Sequence, residues 1–242
     1  MSSFDIVTTL ILSHLASFLP FFEVIPEIFF KFGTTNPIHD EVERRFPLAT
    51  DHSVYSISKN TAVNLIEHYH AQYGFKRFIL RLPTIYVYHP NPFYYVNGVK
   101  KFMGYRYIIE QAIKGNTLEI WGNPNSKKEM VYVRDFVQLV QKCIESNLEG
   151  GIYNVGCGNP ISISDQIHDI ADVFKRVKKS DIIYCPDKPS SPQFVLDISK
   201  AKHELGYKPQ YKFHDLIVDY KFEMEKEPFY KLWGKRNDFF TI

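Results

Sequence analysis

The chain has 242 residues, 45% hydrophobic and 23% charged, which is enough to bury a core as one large domain or two small ones and excludes disordered and fibrous classes. Its 29 basic and 27 acidic residues give a formal charge of +2 and are dispersed, so no basic stripe points to nucleic acid. Cys143, Cys157 and Cys185 are odd in number, far apart and without a Cys-x-x-Cys pair, which suits reduced thiols in a cytoplasm rather than disulfides or a zinc site.

The apolar stretch at 6–22 is interrupted by Ser13, His14, Ser17 and Pro20, with Asp5 the only charge ahead of it. It is too short to span a bilayer and lacks a basic leader, so a buried helix is expected and no membrane partner is implied. From Ser53 onward, helical and strand patterns alternate, the signature of an α/β domain. Val54, Ile57, Val63, Ile66, Tyr69 and Tyr73 recur at helical spacing, with Asp51 or Ser53 as cap and Gly74 as stop. Residues 77–82 read as a strand closed by Pro83. Residues 89–97, rich in Pro, Asn and Tyr, read as an irregular segment suited to lining a cleft. A helix then runs to Lys114 and stops at Gly115.

Residues 118–121, 130–133 and 152–155 read as short strands. Helices are expected at 135–146 and 164–177, each opened by a capping residue. The remaining elements are a strand at 194–196, a helix at 199–205 closed by Gly206, and an amphipathic helix at 214–224.

Tyr55 and Lys59 form Tyr-x-x-x-Lys on the first of these helices, one turn apart on one face. A phenol titrates near pH 10, and an ammonium beside it favours the phenolate, which can take a proton from a substrate hydroxyl. The pattern alone also fits an ordinary helix-face pair. It recurs at Tyr184 and Lys188, where Pro186 prevents a helix from aligning the two. Gly156-Cys157-Gly158 follows a strand and superficially suggests a phosphate loop, but Pro160 and Ile161 follow it, so a tight turn is expected. His68 and His70 are two apart on a helix and face different ways, so no metal site is indicated.

The order of landmarks is more specific than any one of them. Tyr55-Ser56-Ile57-Ser58-Lys59 resembles the active-site helix of the extended short-chain dehydrogenase/reductases, the NAD-dependent epimerase/dehydratase family acting on nucleotide sugars. Arg81-Leu82-Pro83-Thr84-Ile85-Tyr86 is similar to that family's Arg-x-x-Asn-x-Tyr strand end. Glu119-Ile120-Trp121-Gly122, followed by residues 128–135, resembles the segment that serves the substrate diphosphate. Residues 152–158, and 197–202 with 205–209, resemble its late landmarks.

The resemblance implies a partial doubly wound parallel, Rossmann-like sheet with a smaller α/β substrate-binding domain. Residues 1–89 would form the nucleotide-binding part with its active-site helix. Residues 90–242 would be mainly substrate domain, with strands near 131 and 153 returning to the nucleotide-binding sheet. It implies Tyr55 as catalytic acid/base, Lys59 as the residue that lowers its pKa and contacts the nicotinamide ribose, NAD or NADP as cofactor, and a nucleotide sugar as substrate. A homodimer packed through the Tyr55 helix is implied as well.

Thr84 stands where the family has Asn, and Lys128 where it often has Arg. Lys128 can neutralise a phosphate without a planar two-point contact, and Lys188 is a candidate second phosphate ligand. An ordinary solvent-facing lysine is the alternative at both positions.

The sequence also departs from the family. No glycine precedes Gly33, so the glycine-rich turn that cradles a pyrophosphate is not found, and roughly a hundred residues of the first βαβ units are expected to be missing. If Phe32-Gly33 is the family's aromatic-glycine pair, the position of its Ser or Thr falls near Ile28, with Thr34 and Thr35 on the wrong side. Asp40-Glu41 reads as a solvated acidic loop. A non-catalytic remnant or nucleotide-sugar binding module is therefore the alternative to a complete enzyme.

Overall fold

In the computed structural model, the described residues are 22–24, 37–40, 53–96, 98–175, 178–191 and 193–240. The expectations for the helix at 6–22 (apart from Phe22, which opens a strand), for Ile28, Phe32-Gly33, Thr34, Thr35, Glu41 and for an Asp51 cap lie outside them.

Parallel strands joined by helical crossovers organise the chain. Strand β1 (Phe22–Val24) is followed by helix α1 (Ser53–Tyr73) and strand β2 (Arg77–Leu82), and β1 and β2 are parallel neighbours with Phe22 opposite Leu80. Gly74 turns the chain out of α1 at φ +68°, a left-handed conformation that favours glycine. Pro83 separates β2 from β3 (Thr84–Tyr86). The line then passes into a second pairing, since β3 runs parallel to β8 (Met130–Tyr132) while β2 runs parallel to β9 (Gly150–Asn154). Helix α3 (Val133–Glu145) is the crossover from β8 to β9.

Strand β8 is the wall shared by two cores. Its period of two sends Val131 to the side of Leu80, Leu139, Tyr153 and Leu205, and sends Met130 and Tyr132 to the side of Ile109, Ile120, Ile170 and Leu216. The second core is closed by α2 (Gly104–Lys114), β6 (Leu118–Trp121), α4 (Ile163–Val173) and α6 (Phe213–Lys226). Strand β6 pairs in parallel with β11 (Ile182–Cys185). Short strands β7 (Lys127–Lys128) and β10 (Ile161–Ser162) pair antiparallel. Helix α5 (Ser199–Leu205) ends at Gly206 as expected. The chain finishes in α7 (Tyr230–Trp233) and α8 (Asn237–Phe240).

Four differences from the sequence reading concern elements that it had placed. Within 89–97, residues Phe93–Val96 form β4, which pairs antiparallel with β5 (Val99–Phe102); the Phe93 and Phe102 rings meet at 4.3 Å and stabilise a hairpin that composition hides. Helix α3 starts at Val133 rather than at Asp135, and no side chain caps it. Helix α4 is capped by Ser162, whose hydroxyl accepts from the Asp165 amide at 3.0 Å, and it ends at Val173. Phe194 and Leu196 make isolated bridges to Lys128 and Ile38 instead of a full strand.

Among the described residues, no helix is long and apolar enough to cross a membrane.

Candidate functional site

Because α1 joins two parallel neighbours, it runs back against the strand direction, and its first turn lies at the carboxyl edge of β1, β2 and β9. Ligands of open α/β sheets bind at that edge. Tyr55 and Lys59 sit in the first two turns of α1. The Lys59 ammonium lies 5.5 Å from the centre of the Tyr55 ring, and the ring is 37% exposed, so a substrate can reach it. Ser58 donates to the Tyr55 carbonyl at 2.7 Å. The first turn carries no acidic residue.

The same edge is tied down by a buried polar knot. Arg81, near the end of β2, donates to the Asp40 carbonyl at 2.8 Å. The Asp40 carboxylate accepts from the backbone N–H of Asn154, the last residue of β9. The Asn154 amide donates to the carbonyls of Ile38 at 2.8 Å and Asp197 at 3.1 Å. Asp40 is thus buried and not the solvated residue expected, and burial raises its pKa against the pull of the Asn154 amide. Thr84 opens β3 just past this edge and is exposed.

Lys128 is half-buried on β7, opposite Ile161, and desolvation lowers its pKa. A cation held in such surroundings gains more from an anion than one in bulk water. Lys188 lies in the turn after β11, where its backbone N–H donates to the Cys185 carbonyl at 3.2 Å. The β6–β7 loop, which precedes Lys128, interlocks with the loop bearing Lys188: the Asn123 amide donates to Ser190 Oγ at 3.0 Å, and a Cβ on Gly122 would stand 2.4 Å from Ser190 Cα. The structure therefore brings Lys59 beside Tyr55, and holds the β6–β7 loop against the loop of Lys188.

The Arg134-Asp135 pair is committed elsewhere. Arg134 binds Asp219 at 2.7 Å and Glu223 at 2.9 Å, and the Asp135 carboxylate accepts from the amides of Gln210 and Tyr211.

Two residues escape the sequence reading. Glu119 accepts from the Trp121 indole N–H at 2.6 Å and pairs with Lys188. Its position was legible, because β6 alternates buried Leu118 and Ile120 with exposed Glu119 and Trp121, putting the latter two on one face. Glu129 is 2% exposed; its Oε1 accepts from the Cys157 amide at 3.0 Å and the Cys157 thiol at 3.2 Å. Nothing local in the sequence announces a burial that follows from the return of β9.

Glu129 also decides what the Gly156-Cys157-Gly158 turn can hold. A Cβ on Gly156 would stand 2.7 Å from the Glu129 carboxyl carbon, so a carboxylate already occupies the space a phosphate would need. The turn is the tight turn expected. This turn therefore does not suit the pyrophosphate of a dinucleotide.

The sequence model of the NAD dependent epimerase/dehydratase family matches residues 31–156, more than half of the chain. The chain belongs to this family. A dTDP-glucose 4,6-dehydratase from Salmonella typhimurium is 27% identical over 196 residues, which is 75% of this chain and 52% of that protein. The chain spans about half the length of the curated relatives it matches.

Among solved structures, UDP-glucuronic acid 4-epimerase from Bacillus cereus, in complex with UDP-glucuronic acid and NAD, superposes with a TM-score of 0.61 at 20% identity. That match covers 85% of this chain and 60% of the other. The dTDP-glucose 4,6-dehydratase from Bacillus anthracis, in complex with NAD, gives 0.60 at 20% identity over 94% of this chain and 68% of its own. These likenesses establish the Rossmann-like α/β fold.

Proposed function

We propose that this chain supplies the acid/base helix and the substrate-facing part of an NAD-dependent nucleotide-sugar epimerase/dehydratase, with Tyr55 exchanging a proton with a sugar hydroxyl. The observation that carries this reading is the Lys59 ammonium 5.5 Å from the Tyr55 ring, at a helix N-terminus free of acidic side chains and set at the carboxyl edge of a parallel sheet. Lys59 and the helix dipole favour the phenolate, and the phenolate oxygen takes the hydroxyl proton as the carbon is oxidised. NAD or NADP, when bound, supplies the hydride acceptor, and Lys59 would also contact its nicotinamide ribose.

Thr84 would face the sugar, and Lys128 and Lys188 the diphosphate. Residues 1–89, with the strands near 131 and 153, would form the nucleotide-binding part, and the rest of 90–242 the substrate part. Val54, Ile57, Leu65 and Tyr69, all exposed on α1, would be covered by a second copy of the chain. The three cysteines are free, in keeping with a cytoplasmic protein.

A second reading, a nucleotide-sugar binding module without catalysis, is favoured by the carboxylate that Glu129 sets in the glycine turn. Calorimetric titration of the folded chain with NAD and then with UDP separates the two. Saturable binding of both supports the enzyme, UDP binding alone supports the module, and binding of neither overturns both.

A further inference from the structure

We propose that Glu119 is a built-in counter-anion that competes with a phosphate-bearing ligand for Lys188, so that affinity for a nucleoside diphosphate is set by a contact the chain must first break. The inference rests on the reading above that Lys188 is a phosphate ligand.

The alternation of β6 places Glu119 and Trp121 side by side on its solvent face, and parallel pairing with β11 brings the turn that bears Lys188 alongside. One carboxylate oxygen, Glu119 Oε2, then receives two donors, the indole N–H at 2.6 Å and the Lys188 ammonium. The ammonium also stands 4.5 Å from the centre of the Trp121 ring, whose π face attracts it. The interlock of Gly122 with Ser190 fixes the distance between the two loops, so this meeting is built into the fold.

The contact satisfies Lys188 with a negative charge of the chain's own. It holds the Glu119 carboxyl below its ordinary range and Lys188 above its own, each chiefly through their mutual hydrogen bond. It is also weak enough to exchange, since the two side chains are 37% and 42% exposed, and exposed pairs are screened and cost side-chain entropy. A diphosphate reaching Lys188 must displace Glu119 or lie beside it, and either outcome diminishes binding.

The test is calorimetric titration of UDP into the full chain, its Glu119→Gln variant, its Lys188→Gln variant and the double variant. Glutamine keeps an oxygen for the indole N–H and removes only the charge. We expect Glu119→Gln to bind UDP about two- to fivefold more tightly, the scale of one exposed ion pair. Lys188→Gln should bind more weakly, and the gain from Glu119→Gln should vanish when Lys188 is already gone.

A second readout is the emission of Trp121 in a Trp233→Phe background, where UDP should shift the spectrum as the ammonium leaves the ring. Equal UDP affinity in the wild-type chain and Glu119→Gln, or the same gain in the absence of Lys188, overturns this inference alone. UDP binding by none of the proteins overturns the reading on which it rests, and this inference with it.

Discussion

Helices α1 and α3 both serve as crossovers between parallel strands, yet they are built in opposite ways. Helix α3 turns Leu139, Val140 and Cys143 into the core, and buries Asp135 at its start against the Gln210 and Tyr211 amides. Helix α1 buries Ser53, Ser56 and Val63, while Val54, Ile57, Leu65, Tyr69 and Tyr73 are exposed. Several of its polar side chains satisfy helix carbonyls, Asn60 on Ser56 at 2.8 Å and Thr61 on Ile57 at 2.9 Å. One helix is a structural member, and the other, on the proposed function, would present chemistry. Substitutions should therefore divide cleanly between stability and activity.

The sharpest way to break this division is Tyr55→Phe. It should lower sugar-nucleotide turnover, read as reduction of bound NAD, by about 10²–10⁴-fold, the span of general acid-base catalysis. The thermal midpoint should move less than that of a core variant, because Tyr55 is 37% exposed; a drop as large as a core variant's would contradict the account of α1. Next in size, Leu139→Ala on α3 removes a side chain with no exposure and should cost about 2–5 kcal/mol in denaturant unfolding. The matching Ile57→Ala on α1 should cost about 0.5 kcal/mol or less in the monomer.

Arg134→Met tests how α3 is fastened to α6. It leaves Glu223, 7% exposed, without its Arg134 partner and should cost about 1–3 kcal/mol.

Smallest is the pH effect of Glu129→Gln. Burial lifts the Glu129 pKa above its ordinary 4.5, so the folded state holds that proton more tightly than the unfolded one. The associated stability is complete below 4.5 and is lost as pH rises through the folded pKa. The variant's midpoint should accordingly fall less than that of the wild type between weakly acidic and neutral pH. An unchanged slope would show that Glu129 titrates normally. Asp40, Asp135 and Glu223 shift in the same direction, so only part of the slope should disappear.

Elements marked by a clear apolar pattern and a Gly or Pro stop were legible. Residues 77–82, 118–121 and 199–205 fold within the bounds their apolar periodicity and glycine stops indicate. Two readings failed for different reasons. Asp135 looks like a helix cap, but its carboxylate is spent on the backbone at Gln210 and Tyr211, and the helix begins two residues earlier without one. The hairpin of β4 and β5 was announced by Asn97-Gly98 between two strand-like runs, a signal outweighed in the reading by the prolines and asparagines just before it. At the site, Tyr55 and Lys59 could be read one turn apart, whereas the pairing of Lys188 with Glu119 required the β6–β11 neighbourhood.

The contact between Gly122 and Ser190 also restricts how this protein can change in length. Surface loops ordinarily tolerate the gain or loss of a residue at small entropic cost. Here one residue added or removed between Cys185 and Ser190 would pull Ser190 from its seat and carry Lys188 off the Trp121 ring. The 186–190 loop should therefore accept changes of side chain far more readily than changes of length, as an aligned set of variants from a random insertion and deletion library would reveal.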